Sequence, residues 1–169
     1  CVGMGNNGSD ALHYGGRLSN GEIQEIELGV GPFEPALNVQ LWKDYEDEME
    51  IYVESPGGER VGPLDEALGV QRWMAGNTEL LIYYGKPAPY HVTQEIYVDF
   101  LTGSGERPYV NSGVWKIILI AKNIKNGEYF LWLPGGKTLN PGTAFYLPRA
   151  QGTLTIPATA RRVISVGAY

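Results

Sequence analysis

The sequence predicts an all-β protein, a jelly-roll β-sandwich, from three observations. About eight short apolar runs recur at near-regular spacing, and several of them alternate with polar residues as half-buried strands do. Turn-forming residues, among them 23 glycines and 11 prolines, separate these runs at every step. No stretch has the apolar spacing of a convincing amphipathic helix. Many short strands punctuated by turns are typical of sandwiches and jelly rolls.

The predicted strands follow one another through the middle of the chain. Alternation is clearest at Leu37–Leu41, at Met49–Glu54 and at Glu95–Phe100, where one side chain in two is apolar. The turn Lys125-Asn126-Gly127 predicts that the last two strands form a hairpin. Leu64–Met74 is predicted as a turn or a short helical connector. In chain order, the predicted strands are Glu22–Leu28, Leu37–Leu41, Met49–Glu54, Leu80–Tyr84, His91–Leu101, Val114–Lys122 and Glu128–Leu133.

The ends of the chain follow a different pattern from its middle. Val163–Ala168 is short and mostly apolar, as expected for a strand buried on both faces of a parallel sheet. The predicted jelly roll contains no such sheet, so the ends and the middle belong to different architectures. A sequence that opens CVGMGNNG and stops at SVGAY is expected to be a piece cut from a longer protein.

Composition excludes several classes of protein and site. Thirteen Lys and Arg against nineteen Asp and Glu give a net charge of −6, which disfavours a nucleic-acid partner. Cys1 is the single cysteine, so neither an internal disulfide nor a four-cysteine zinc site is predicted. The longest strongly apolar run, Val114–Ala121, is too short to span a membrane, and no signal peptide opens the chain. No cofactor or metal is expected.

Two motifs at the ends of the chain resemble those of the subtilases, the subtilisin-like serine proteases. Gly5-Asn6-Asn7-Gly8 is similar to their Gly-Asn-(Glu/Asp)-Gly motif, and Ile156–Ala168 is similar to the Val-Ile-x-Val-Gly-Ala segment that follows it. In ordinary subtilases a short loop separates the two. Here they lie roughly 145 residues apart, the size of an independent domain. Ser112–Ile117 followed by Gly127–Pro134 also resembles the end of the jelly-roll insertion of clostridial germination proteases.

The resemblance assigns one site residue within this chain. Asn6 matches the oxyanion-hole asparagine, whose side-chain amide donates to the oxyanion formed when a serine attacks the scissile carbonyl. The aspartate and histidine of the triad would lie before Cys1 and the serine beyond Tyr169, so this chain is predicted to be inactive alone while its parent is the enzyme. A turn asparagine is the alternative interpretation of Asn6.

Other polar groups carry weaker signals for chemistry. His13 is expected to serve packing or hydrogen bonding, and neither it nor His91 lies in a metal or nucleophile motif. The acidic cluster Asp44–Glu50 lacks the ligand order of an EF-hand, so a solvated turn is favoured over a calcium loop. Ser104 is not spaced as a nucleophile elbow and is interpreted as part of a hairpin bend.

The aromatic residues raise a rival interpretation. Trp115 alternates with Ile117 and Leu119 and is predicted to lie in the core, whereas Trp42 falls on the opposite face from Leu41. Exposed aromatics on a jelly roll would favour a stand-alone carbohydrate-binding or adhesin-type module. Aromatic packing within the sandwich is the simpler explanation. The tryptophans concerned are Trp42, Trp73, Trp115 and Trp132.

The interpretation favoured by these observations is an insertion domain of a subtilisin-like serine endopeptidase. Residues 1–8 are predicted to be a core segment with the oxyanion motif, 9–153 the jelly roll, and 154–169 a returning core strand. The two core segments should lie side by side in a parallel sheet, and the insert should rigidify the protease or shape substrate access. The expected partners are the rest of the subtilase domain and a protein or peptide substrate. A bacterial extracellular, cell-envelope or spore location is expected, and the germination likeness implies the precursor of a cortex-degrading enzyme as substrate.

Overall fold

The computed structural model describes residues 2–3, 10–86, 89, 92–103, 108–135, 138–151 and 164–166. Every regular element in these residues is a β-strand, so the all-β prediction is confirmed. No helix in the described ranges is long and apolar enough to cross a membrane. The strands are β1 (Val2–Gly3), β2 (His13–Arg17), β3 (Ile23–Val30), β4 (Ala36–Asp44), β5 (Glu48–Glu54), β6 (Arg60–Val61), β7 (Val70–Ala75), β8 (Thr78–Tyr84), β9 (Thr93–Thr102), β10 (Gly113–Asn123), β11 (Glu128–Trp132), β12 (Ala144–Phe145) and β13 (Ser165–Val166).

Two antiparallel sheets form the body of the molecule. One has five strands in the order β12-β3-β10-β5-β6, and the other has six in the order β2-β11-β4-β9-β8-β7. The outermost strands, β12 and β6 in one sheet and β2 and β7 in the other, leave each sheet with two edges. This arrangement matches the predicted jelly-roll-like sandwich. β1 and β13 form a separate two-stranded sheet.

The core lies between the sheets and is built by the alternation seen in the sequence. In β4 and β9, directly opposed residues such as Leu41 and Ile96 point inward from neighbouring strands. Trp115 on β10 is fully buried, with its ring 5.0 Å from that of Phe100 in an edge-to-face contact. Its indole N–H donates to the Asn111 carbonyl over 2.8 Å. The prediction that Trp115 belongs to the core is confirmed.

The predicted hairpin between the last two long strands is wrong. β10 pairs with β3 and β5, whereas β11 pairs with β2 and β4 in the other sheet. Lys125–Gly127 therefore crosses from one sheet to the other. The backbone N–H groups of this crossing donate to the carboxylate of Asp47, which holds them in place of a hairpin ladder.

The prediction of a turn or helical connector over Leu64–Met74 is wrong from Val70 onward. Residues 70–75 form β7, an edge strand paired with β8, with Trp73 opposite Leu80. Trp73 is partly buried and packs against the core. Strand pairing with an existing sheet decides the outcome here, because the local pattern itself is weak. β2, β6 and β12, which are also short or at sheet edges, have no counterpart among the predicted strands.

Candidate functional site

The two ends of the chain meet. β1 and β13 run parallel, with Val2 opposite Ser165 and Gly3 opposite Val166. The expected side-by-side parallel arrangement of the end segments is confirmed for these residues. Asn6, the predicted oxyanion residue, follows β1 by three positions and lies outside the described residues, so its role stays a prediction.

The chain enters the sandwich from this end beside β12. Ala11 has a left-handed backbone, with φ of 56°, and its carbonyl accepts the N–H of Phe145 over 3.0 Å. Leu12 then pairs with Leu133 of the six-stranded sheet through a 2.9 Å backbone bond. Asp10 and Leu12 line one wall of a cleft of about 350 Å³, and residues 139–144 line the other. The segment that follows the predicted oxyanion motif is therefore anchored to both sheets.

His13 is the first strand residue after this entry, and it is buried. Its Nδ1 lies 2.8 Å from the Arg149 carbonyl, and since a carbonyl only accepts, Nδ1 carries the proton. The ring packs against Trp132 and Phe130, with centroids 4.1 and 5.8 Å away. Burial lowers the pKa of His13, and the Arg149 bond offsets this only in part. The predicted packing and hydrogen-bonding role is confirmed.

The acidic cluster is only partly the solvated turn that was predicted. Asp47 is fully buried, and its Oδ1 accepts the N–H groups of Lys125 and Asn126 over 2.6 and 2.9 Å while Oδ2 accepts that of Gly127 over 2.8 Å. Glu46 and Glu48 are exposed, as a solvated turn requires. Within the described residues no cluster of three or more histidine, cysteine or acidic side chains is arranged to hold a metal.

Lys43 lies buried beside this cluster, which the sequence did not indicate. Its Nζ donates to the carbonyls of Asp47 and Asp44 over 2.8 and 3.2 Å. Burial lowers the pKa of Lys43, and the surrounding carboxylates, Glu66 first among them, oppose that shift. In the sequence, a lysine at the end of an alternating strand looks exposed. The pattern does not show that the following turn brings the carbonyls of Asp44 and Asp47 to its ammonium group. Lys43 and Asp47 together tie β4 to the crossing at 125–127.

Of the remaining residues singled out by sequence, the structure describes only the tryptophans. His91 and Ser104 lie outside the described residues. Trp42 and Trp132 are on the outer face of the six-stranded sheet and are partly exposed. The prediction that Trp42 lies on the opposite face from Leu41 is confirmed.

A second cleft lies at the edge of the six-stranded sheet. It has a volume of about 240 Å³, and Gly15, Gly16 and Arg17 of β2 line it together with His13, Glu128, Phe130, Arg149 and Gln151. The only sequence signal for it was the pair of glycines in a stretch not predicted as a strand. Both glycines are required by packing, because a Cβ on Gly15 would lie 2.9 Å from the ring of Phe130 and one on Gly16 would meet Tyr129.

Comparison with known proteins shows a likeness to a solved structure. No family model matches the chain, and no curated protein matches it either. Among solved structures, the CspB protease of Clostridium perfringens superposes with a TM-score of 0.86 at 30% sequence identity. The match covers 99% of this chain and 34% of that protein, so the chain spans about a third of the length of the protease. The chain is thus related to part of a protease, and the stand-alone sugar-binding interpretation is not favoured.

Proposed function

We propose that this chain is the jelly-roll insertion domain of a subtilisin-like serine endopeptidase, carried with two strands of the protease core. The observation that carries the proposal is the likeness of 99% of the chain to a third of the CspB protease. The parallel pairing of β1 with β13 supports it, because an insertion into a parallel core sheet can leave and return through neighbouring strands. The parent catalyses peptide-bond hydrolysis, and the triad is supplied from outside residues 1–169.

In this proposal Asn6 donates to the oxyanion. The chemistry requires a neutral donor fixed beside the scissile carbonyl before charge develops there. Asn6 lies three positions after the end of β1 and four positions before Asp10, where the described part of the sandwich begins. In this proposal the oxyanion motif stands in the sequence between a core strand and an entry segment whose Ala11 and Leu12 carbonyls accept backbone hydrogen bonds.

The insert is proposed to act by rigidifying the protease or by shaping substrate access. Rigidification is supported by the two backbone bonds that join the beginning of the insert to its end, from Phe145 to Ala11 and from Arg149 to His13. Replacing 9–153 by a short loop in the parent separates the two roles. A lower thermal midpoint with unchanged kcat/KM on a small peptide supports rigidification. An altered preference between peptide and protein substrates, at an unchanged midpoint, supports control of access.

The experiment that tests the proposed function compares the full-length parent with its Asn6→Ala and Asn7→Ala variants on a generic peptide substrate. Loss of an oxyanion donor costs about 2.7–4 kcal/mol, the magnitude known for subtilisin itself, or roughly a hundred- to a thousandfold in kcat. We expect that loss for Asn6→Ala with KM little changed, and a far smaller effect for Asn7→Ala, the matched control. An inactive parent, or an Asn6→Ala variant as active as the wild type, contradicts the proposal.

A further inference from the structure

We propose that the open edge of β2 binds an extended, acidic segment of a partner protein by strand addition. β2 is the outermost strand of the six-stranded sheet, and its neighbour β11 lies on one side only. The bonds Leu133 to Leu12 and Leu18 to Gly127 show which residues of this stretch face β11. By strand alternation, the N–H and C=O groups of Gly15 and Arg17 point the other way, out of the sheet.

The segment from Phe145 of β12 to Arg149 covers only the first half of this edge. Phe145 donates to the Ala11 carbonyl over 3.0 Å, and Arg149 donates to the His13 carbonyl over 2.9 Å. In the described part of the chain, the backbone bonds along the outer side of β2 end there. Gly15 and Arg17 therefore continue an edge that is already partly paired, which gives an incoming strand a defined place to begin.

The cleft of about 240 Å³ described above lies at this position and can receive part of a bound polypeptide. Gly15, Gly16 and Arg17 line this cleft, so it runs along the edge of β2 itself. His13, in the same cleft wall, is 3% exposed, and its Nε2 has no protein partner among the described residues. Since Nδ1 carries the proton, Nε2 is an acceptor and would take an N–H or O–H donor from the bound segment.

Charge selects an acidic partner. Two arginines line the cleft, Arg17 and Arg149, against one carboxylate, Glu128. Arg17 is paired with Glu128 at 2.8 Å, which leaves the exposed Arg149 as the charge in excess. In a chain of net charge −6 this corner is locally positive. Arginine binds carboxylates through two parallel hydrogen bonds, so a glutamate or aspartate on the added strand fits this corner.

The usual function of charge at a sheet edge is to prevent pairing, and β7 shows that pattern. On β7 the exposed Arg72 is matched by Glu79 of the adjacent strand at 2.7 Å. The β2 edge differs because it combines a cleft with an arginine side chain and a buried acceptor, neither of which has a partner among the described residues. These three features favour a binding edge over a blocked one.

The test uses the 169-residue chain and a fluorescent peptide, acetyl-Thr-Val-Glu-Val-Thr-Val-amide, followed by anisotropy. Two N-methylated versions are made, each blocking alternate amides. We expect one version to lose binding and the other to keep it, because an added strand turns only every second N–H toward its neighbour. A peptide with lysine in place of glutamate should bind at least about fivefold more weakly. Amide exchange at Gly15 and Arg17 should slow on binding.

Variants of two arginines then test which side chain binds the glutamate of the peptide. Arg149→Ala should weaken binding about fivefold and Arg149→Lys less, whereas Arg72→Ala, the matched control on the opposite edge, should leave binding unchanged. No binding, equal loss with both N-methylated peptides, or indifference to Arg149 would overturn the proposal. So would a concentration-dependent dimer that protects Gly15 and Arg17 without peptide, since a second copy would then occupy the edge. None of these results depends on protease activity, so they leave the proposed function to its own test.

Discussion

Asp47→Ala is expected to be among the most destabilising single changes in the sandwich. The carboxylate is 1% exposed and is the acceptor for three consecutive backbone N–H groups in the crossing between the sheets. Removing it leaves the crossing without its acceptor. It also removes a negative charge close to the buried ammonium of Lys43.

The size of the stability loss depends on what each N–H group can bond to once the Asp47 carboxylate is removed. Gly127 is buried, so its N–H stays unsatisfied, at a cost of about 1–3 kcal/mol. Lys125 and Asn126 are exposed, so water replaces the carboxylate, and each bond lost costs about 0.5–1.5 kcal/mol. Together these give a loss of about 4 kcal/mol in the free energy of unfolding. That is a large part of the stability of an ordinary domain.

Urea unfolding followed by tryptophan fluorescence measures this loss. Glu46→Ala is the matched control, since Glu46 belongs to the same acidic cluster but is exposed, and its change should stay within about 0.5 kcal/mol. An Asp47→Ala variant as stable as the control would refute the reasoning, because it would mean that the three N–H groups find other acceptors at little cost.

Two further predictions concern positions where burial or backbone conformation sets the cost. Burial lowers the pKa of His13 from 6.5, so the folded state holds the ring neutral and stability should fall as pH drops below about 6.5. In the His13→Gln variant, the free energy of unfolding measured in urea should decrease less between neutral and acid pH. An equal decrease in the variant and the wild type would contradict this assignment to His13. Gly127→Ala, at φ of 81°, drives a Cβ into the Leu18 carbonyl and should cost about 2–5 kcal/mol, whereas Gly58→Ala, at φ of 84° with open space around it, should cost about 1–2. Equal losses of thermal stability in the two glycine variants would contradict the steric argument.

Alternation predicted the strands whose two faces differ most. β4, β5, β9 and β10 were found because one face meets the core and the other meets solvent or a neighbour, so the period of two is written into the residues. β2 was missed because Gly15 and Gly16 give no hydrophobic signal. Their absent side chains make room for the rings of Phe130 and Tyr129, which come from another strand.

The sites resisted prediction for a related reason. Asp47 and Lys43 look like solvent-facing charges in the sequence. The crossing eighty residues later explains the burial of Asp47, and the turn that folds the carbonyls of Asp44 and Asp47 onto Lys43 explains that of the lysine. The same holds for the β2 cleft, which needs Arg149 brought beside His13. The oxyanion motif at Asn6 was visible because its signal is local, although its role remains a prediction.

The pairing of β1 with β13 also has a consequence for folding during synthesis, because β1 is made before the sandwich and β13 after it. The two strands are about 160 residues apart, and at roughly 5–20 residues per second the second emerges about 8–30 s after the first. Such a long closure would be entropically costly for a loose chain. All strands of the sandwich have been made once β12 is complete. The bond from Phe145 to Ala11 in the folded sandwich then leaves a much shorter segment to close. The folded domain would thus hold the two ends of the insert together, so that Ser165 is close to Val2 once β13 has been made.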